Sequence, residues 1–288
     1  MADQSKPKLF ISFSGGETSA MMTDFIHKTR GHIYDILVMV ANTGQENNET
    51  LDFIKQCDDH FGWNVVWVEA VVQHGSRVGS LHRVVNYETA RRIDNNTGGT
   101  MFEEVIDKYG IPNVKYQHCT RELKLNPMRS YLRSIGWTKG SYETAIGIRA
   151  DETRRISKKQ TSERIVYPFI DWTTRTKEDV NDFWNRQPFR LNLKDYEGNC
   201  RWCWKKSITK HVKLINDKPD TYDFPERMER EKGLKGHNVD GTHRVFFRGN
   251  QSTNDLRNLA KIAEVNDEPE RPDEVNGCSE SCELYPTD

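Results

Sequence analysis

The chain turns on Leu9-Phe10-Ile11-Ser12-Phe13-Ser14-Gly15-Gly16-Glu17-Thr18-Ser19-Ala20-Met21-Met22. Residues 9–13 are apolar or small throughout, as in a short strand buried on both faces, and the two glycines that follow end it in a tight turn. A helix is predicted to open at Thr18 or Ser19. A strand that runs through glycines into a helix N-terminus gathers backbone N–H groups on one point, where the helix dipole adds partial positive charge. Gly15 and Gly16 let the backbone approach an anion closely, and Ser14, Thr18 and Ser19 each carry a hydroxyl donor. The stretch therefore reads as a turn that binds phosphate or sulfate.

Working outward, a second apolar run (35–41) ends in Asn42-Thr43-Gly44, a helix is expected near 49–61, and a third run follows at 64–69. Strand, helix, strand, helix, strand predicts an α/β fold, a doubly wound, mostly parallel sheet with helices on both faces. Such sheets bind ligands at the carboxyl ends of their strands, so the loops at Gly15 and at Asn42-Thr43-Gly44 are expected to share one ligand. Residues 71–99 read as a loop-rich insertion, and helices are predicted at 101–109 and 127–134, the latter with Pro127 in its first turn. A strand at 142–148 runs into a charge-dense loop whose Arg149 and Arg155 suit a bidentate anion clamp. Residues 165–185 read as a strand, a turn and an amphipathic helix. Gly198-Asn199-Cys200-Arg201-Trp202-Cys203 leads into a helix at 207–215. The segment past 266 is acidic, reads as a mobile tail, and carries Cys278 and Cys282. The expected organisation is a nucleotide-binding α/β domain over 1–190, a cysteine-containing helical extension over 191–265 and a tail over 266–288.

With 288 residues and a net charge of −1, the chain can bury a full core and carries no global field toward nucleic acid or membranes. The polar start and the lack of a long apolar run predict a cytoplasmic protein. In that compartment its six cysteines are expected to be metal ligands or redox thiols rather than disulfides. A homo-oligomer is left open.

The order Ser-Gly-Gly-x-Thr-Ser resembles the PP-loop of the adenine-nucleotide α-hydrolase superfamily, with Thr18 where many ATP-cleaving members carry Asp. Four further segments resemble phosphoadenylyl-sulfate (PAPS) and adenylyl-sulfate (APS) reductases. Asn42-Thr43-Gly44-Gln45-Glu46-Asn47-Asn48-Glu49-Thr50 is similar to their Asp-Thr-Gly-x-x-x-x-Glu-Thr, with Asn42 for Asp. Gly147-Ile148-Arg149 is similar to Gly-Leu-Arg, and Pro168-Phe169-Ile170-Asp171-Trp172 to Pro-Leu-x-x-Trp. Cys119-Thr120-Arg121-Glu122-Leu123-Lys124-Leu125-Asn126-Pro127 resembles the Cys-Cys-x-x-x-Lys-x-x-Pro of the iron–sulfur reductases. The combination looks most like the reductase-like PP-loop proteins of bacteriophages.

The resemblance implies an enzyme that binds an adenine nucleotide (PAPS, APS or ATP) at Ser14, Gly15, Gly16, Thr18, Ser19, Asn42, Thr43, Gly44, Arg149 and Arg155. It implies a 4Fe-4S cluster as well: Cys119 stands 81 residues before Cys200 and Cys203, a separation similar to that in the iron–sulfur reductases, with Cys282 or Cys278 as the fourth ligand. Zinc on Cys200, Cys203, Cys278 and Cys282 is the alternative, and it leaves Cys119 without a role. Cys282 and Cys278 are the nucleophile candidates, in a segment that only loosely echoes the reductases' Glu-Cys-Gly-Leu-His, and Lys124 is placed beside the cluster or sulfate. A thioredoxin-like reductant would be the partner. Two alternatives remain: ATP-dependent thiolation of a nucleic acid, and a non-catalytic nucleotide-binding module in phage–host conflict.

Overall fold

The computed structural model describes residues 6–75, 77–94, 96–97, 99–235 and 241–263. The apolar runs alternate with helices as expected: β1 (Lys8–Ser12), α1 (Glu17–Arg30), β2 (Asp35–Asn42), α2 (Asn48–Phe61) and β3 (Val66–Val71). Then come β4 (Leu81–Val85), α3 (Thr100–Tyr109), and a helical stretch from α4 (His118–Thr120) through a π-helical turn (Arg121–Leu125) into α5 (Asn126–Ser134). β5 (Tyr142–Ile146), β6 (Ile165–Val166), α6 (Pro168–Asp171) and α7 (Lys177–Asn185) complete the sheet and its cover. Beyond them lie α8 (Ile208–Asp217), α9 (Asp223–Lys232) and α10 (Thr253–Ala263).

The six strands are ordered β4-β3-β2-β1-β5-β6. All neighbours are parallel except β3 and β4. The order reverses at β1, with β2 and β3 on one side and β5 and β6 on the other. The crevice outside the carboxyl ends of β1 and β5 is thus the topological switch point, where open α/β sheets take their ligands.

Successive side chains of a strand point to opposite faces, and here both faces are covered. Leu9, Ile11, Phe13, Val38 and Val40 pack against Ala20, Met22 and Ile26 of α1, Phe53 and Ile54 of α2, and Trp184 of α7. Phe10, Met39, Ala41 and Val68 pack against Met128 and Leu132 of α5. That double cover explains why the run at 9–13 has no polar alternation. A further core joins Phe102 and Val105 of α3 to Trp202, Trp204, Leu214, Tyr222, Phe246 and Leu256.

Two elements differ from the sequence expectation. The insertion at 71–99 contains β4, whose Arg83 forms an ion pair with the buried Glu69 of β3. A strand that turns a charge toward its neighbour and exposes Leu81 and Val84 has no clean period-two signal. The helix expected from Pro127 begins nine residues earlier, at His118, so the cysteine-bearing motif at 119–127 is helical. Among the described residues no helix is long and apolar enough to cross a membrane. Cys278 and Cys282 lie outside the described residues.

Candidate functional site

β1 delivers Ser14 and the two glycines to the switch point, and α1 opens with Gly16 as its N-cap. Gly15 sits at φ +80°, and a Cβ there would lie 2.8 Å from both Ile54 Cδ1 and Thr50 Cγ2 of α2. The glycine is therefore required by the left-handed turn and by the closeness of α2, as well as by any anion on the open side. Ser19 Oγ donates to Gly16 O (2.9 Å) and accepts from Ser14 N (3.3 Å), and the Ser14 and Ser19 hydroxyls share a 2.8 Å hydrogen bond. These bonds curl the loop around the first turn of α1, whose leading N–H groups have no intrahelical partner. Gly147 closes in from β5: a Cβ there would stand 2.8 Å from Ser19 Cα.

Arg149 follows at once, buried, and its Nη1 donates to Thr18 Oγ1 (3.3 Å). The guanidinium also contacts Asp151 (3.1 Å) and Glu152 (3.3 Å), and Arg155 Nη1 bonds the same Glu152 at 2.5 Å. The two arginines expected to clamp an anion thus stand together, sharing Glu152 of the 3₁₀ turn Ala150–Arg155, with Arg149 reaching the loop at Thr18.

At the end of β2 the three predicted residues divide. Asn42 is buried, donating Nδ2 to Glu69 Oε1 (2.7 Å) and to Arg91 O (2.9 Å) and accepting from Gly44 N at Oδ1 (3.1 Å). Its role is to order the loop from below. Thr43 is held by Glu46, which accepts from Thr43 N (2.9 Å) and Thr43 Oγ1 (2.7 Å).

The structure brings Cys200 and Cys203 to this same loop. Cys200 makes an antiparallel bridge to Glu46. Arg201 N donates to Gln45 O (2.9 Å), Asn47 N to Asn199 O (3.0 Å), and Asn47 Nδ2 to Gly198 O (2.8 Å). Trp202 Nε1 donates to Gln45 Oε1 (2.6 Å), and Asn199 Nδ2 to Ser14 O (2.7 Å). Gln45, Glu46, Asn47 and Asn199 were given no role by the sequence although all four stood inside quoted segments, because the pairing of 45–47 with 198–201 spans about 150 positions and leaves no local trace.

Cys119, Cys200 and Cys203 line one cavity together with Thr43, Thr120, Lys124, Phe102, and the Trp202 and Trp204 rings. The expected trio and Lys124 are therefore gathered at one place, one loop away from Ser14. The Cys200 and Cys203 thiols are hydrogen-bonded to each other. That bond, with Lys206 and Lys205 nearby, holds the Cys203 thiol below its ordinary range, while the same bond, burial and Glu46 push Cys200 up. Among the described residues, no three His, Cys, Asp or Glu side chains are grouped so as to hold one metal ion. Cys57, by contrast, is buried in the core under α2, and burial raises its thiol far above the ordinary range.

A family model for the phosphoadenosine phosphosulfate reductase domain matches residues 8–94. An uncharacterized nin region protein of Escherichia phage lambda is 30% identical over 289 residues, covering 96% of this chain and 94% of its own length. Two uncharacterized proteins of Methanocaldococcus jannaschii are 25% and 24% identical, but the chain spans only 34% and 44% of their lengths, covering 67% and 81% of its own. A solved PAPS reductase from Candida auris, in a phosphate complex, overlays with a TM-score of 0.39 at 13% identity, over 66% of this chain and 78% of that one. By its near end-to-end match to the phage lambda protein and the reductase-domain match across its anion loop, this chain belongs to the PAPS reductase-like family of PP-loop proteins.

Proposed function

We propose that the protein is a reductase-like enzyme that binds an adenylylated sulfate, APS or PAPS, at the switch point and carries out thiol chemistry on the sulfur at the cysteine cavity. The observation that carries this reading is the placement of three thiols and Lys124 around one cavity whose wall, Thr43, belongs to the loop beside the anion turn. In this reading the nucleotide phosphate lies on the loop from Ser14 to Ser19. Arg149 and Arg155 exchange part of their bonding to Asp151 and Glu152 for the sulfate oxygens, one anionic partner for another. A cysteine thiolate attacks the sulfate sulfur, the S–O bond to the nucleotide breaks, and the nucleotide leaves with the electron pair. The product is a cysteine S-sulfonate. A second thiol then attacks its cysteine sulfur, sulfite departs, and the resulting disulfide is reduced by an external dithiol of the thioredoxin type.

In this reading Cys119, Cys200 and Cys203, with Cys282, would hold an iron–sulfur cluster, because thiolates suit such centres. A cluster there would supply iron that draws charge from the sulfate oxygens. Lys124, on the wall of the same cavity, would offset the negative charge of the ligands. Cys282 or Cys278 is the nucleophile of this reading, whichever is not a ligand. A second reading is favoured by one contact, the hydrogen bond between Cys200 and Cys203: Cys203 would be the nucleophile and Cys200 the thiol that resolves it.

Anaerobic purification followed by iron, sulfide and zinc analysis separates these readings, combined with sulfite assays on APS and PAPS. Cluster ligation predicts iron and sulfide in stoichiometric amount, lost in Cys119→Ser and Cys200→Ser. The dithiol reading predicts sulfite release without iron and full dependence on Cys203. Absence of sulfite from both APS and PAPS, with thioredoxin present, would contradict the enzyme.

A further inference from the structure

Residues 198–202 lie along residues 45–47 through main-chain bonds and the Trp202 side chain, yet one side chain of that segment goes further. Asn199 is buried, and its Nδ2 donates to Ser14 O at 2.7 Å, at the start of the anion loop. A trans peptide is planar, with its carbonyl and the following N–H pointing in opposite directions. Fixing Ser14 O therefore fixes the direction of the Gly15 N–H, a donor in the turn where an anion would sit. The bond is kept against a penalty: Asn199 Oδ1 is buried with no hydrogen-bond partner, an arrangement that costs about 1–3 kcal/mol.

Asn199 is also the residue immediately before Cys200. Its carbonyl accepts from Asn47 N (3.0 Å) at the N-cap of α2, so its main chain is pinned on one side and its side chain on the other. Any displacement of the Ser14–Gly15 peptide is passed by this amide to the main chain of Cys200, and any displacement of Cys200 is passed back. We infer that Asn199 is a positioning residue that couples nucleotide occupancy of the anion loop to the state of the Cys200/Cys203 pair. The inference rests on the nucleotide reading above and adds to it a link that runs both ways. Coupling free energies are reciprocal: the factor by which the cysteine state changes nucleotide affinity equals the factor by which the nucleotide changes the cysteine equilibrium.

The test uses the full chain, reduced and treated with chelator, with iodoacetamide labelling of Cys200 and Cys203 followed by peptide mass spectrometry. Labelling is measured with no nucleotide and with saturating APS or ATP, whose binding is established first by calorimetry. In the wild type, nucleotide is expected to change the labelling rate of Cys200 by roughly fivefold or more. In Asn199→Ala, nucleotide binds more weakly, and at saturation the change in labelling falls below about twofold. Asn199→Asp, which keeps the size but loses the donor, should behave as Asn199→Ala; an unchanged melting temperature in either variant excludes misfolding as the cause. Simple shielding of Cys200 by bound nucleotide would leave the full change in both variants at saturation, and that result overturns the inference. So does wild-type protein that binds nucleotide with no change in labelling. A wild type that binds no nucleotide overturns the reading beneath it as well, and calorimetry distinguishes that case.

Discussion

Asn42 carries a structural role that its position in the sequence does not disclose. Its position in the motif at the end of β2 marked it as a nucleotide contact standing where the reductases carry Asp. In the structure its amide faces inward, giving a hydrogen to the carboxylate of Glu69, which is itself buried and paired with Arg83. An aspartate has no donor to offer there at neutral pH and would set a second carboxylate against the first. Asn42→Asp should therefore destabilise the protein by about 1–3 kcal/mol near neutrality. The folded state would raise the pKa of the new carboxyl, so the deficit should be smallest below about pH 4 and grow as the pH rises. Urea denaturation of both proteins at pH 4 and pH 8 measures this; a deficit that shrinks with rising pH would contradict the account. Gly15, by contrast, was legible, because few residues besides glycine meet a φ of +80° and a 2.8 Å approach from α2.

At the scale of elements, the strands and helices of the sheet followed from apolar periodicity, since both faces of β1 and β2 are buried. The stretch from His118 to Leu125 did not, because it is polar in sequence and is held by specific partners instead. His118 is buried, with Nε2 against Gly110 O at 2.8 Å. Glu122 accepts from Ser80 N and Ser80 Oγ, both at 2.9 Å, and pairs with Arg121. Burial holds His118 down to about 4 from its ordinary 6.5. A histidine kept neutral in the fold but free to protonate when unfolded gives stability that is present above pH 6.5 and is lost as the pH falls toward 4. Burial alone would raise the Glu122 carboxyl, yet its bonds to Arg121 and Ser80 outweigh that and lower it, so its contribution is also lost on acidification. Moving from pH 7.5 to pH 4.5 should cost about 2–3 kcal/mol through His118 alone. Denaturant midpoints across that range should show the loss, and His118→Gln should flatten it; an identical slope in the variant would place the acid sensitivity elsewhere.

For the whole molecule, the decisive arrangement is one that no local signal carries: the Cys-x-x-Cys segment laid across the β2–α2 loop, with Cys119 lining the same cavity. Sequence patterns report neighbours three, four or two residues apart, whereas this contact joins Gln45 to Arg201 and Ser14 to Asn199. The cysteines could be singled out by type and spacing, but only the fold gathers three of them at one cavity beside the anion turn. The account's central claim is that this composite site takes an adenine nucleotide. Calorimetric titration of the anaerobically purified full chain with APS, PAPS and ATP tests it most directly. The account predicts saturable binding of at least one of them with a stoichiometry near one per chain, weakened at least tenfold in Arg149→Ala. Heats indistinguishable from dilution for all three nucleotides would contradict it.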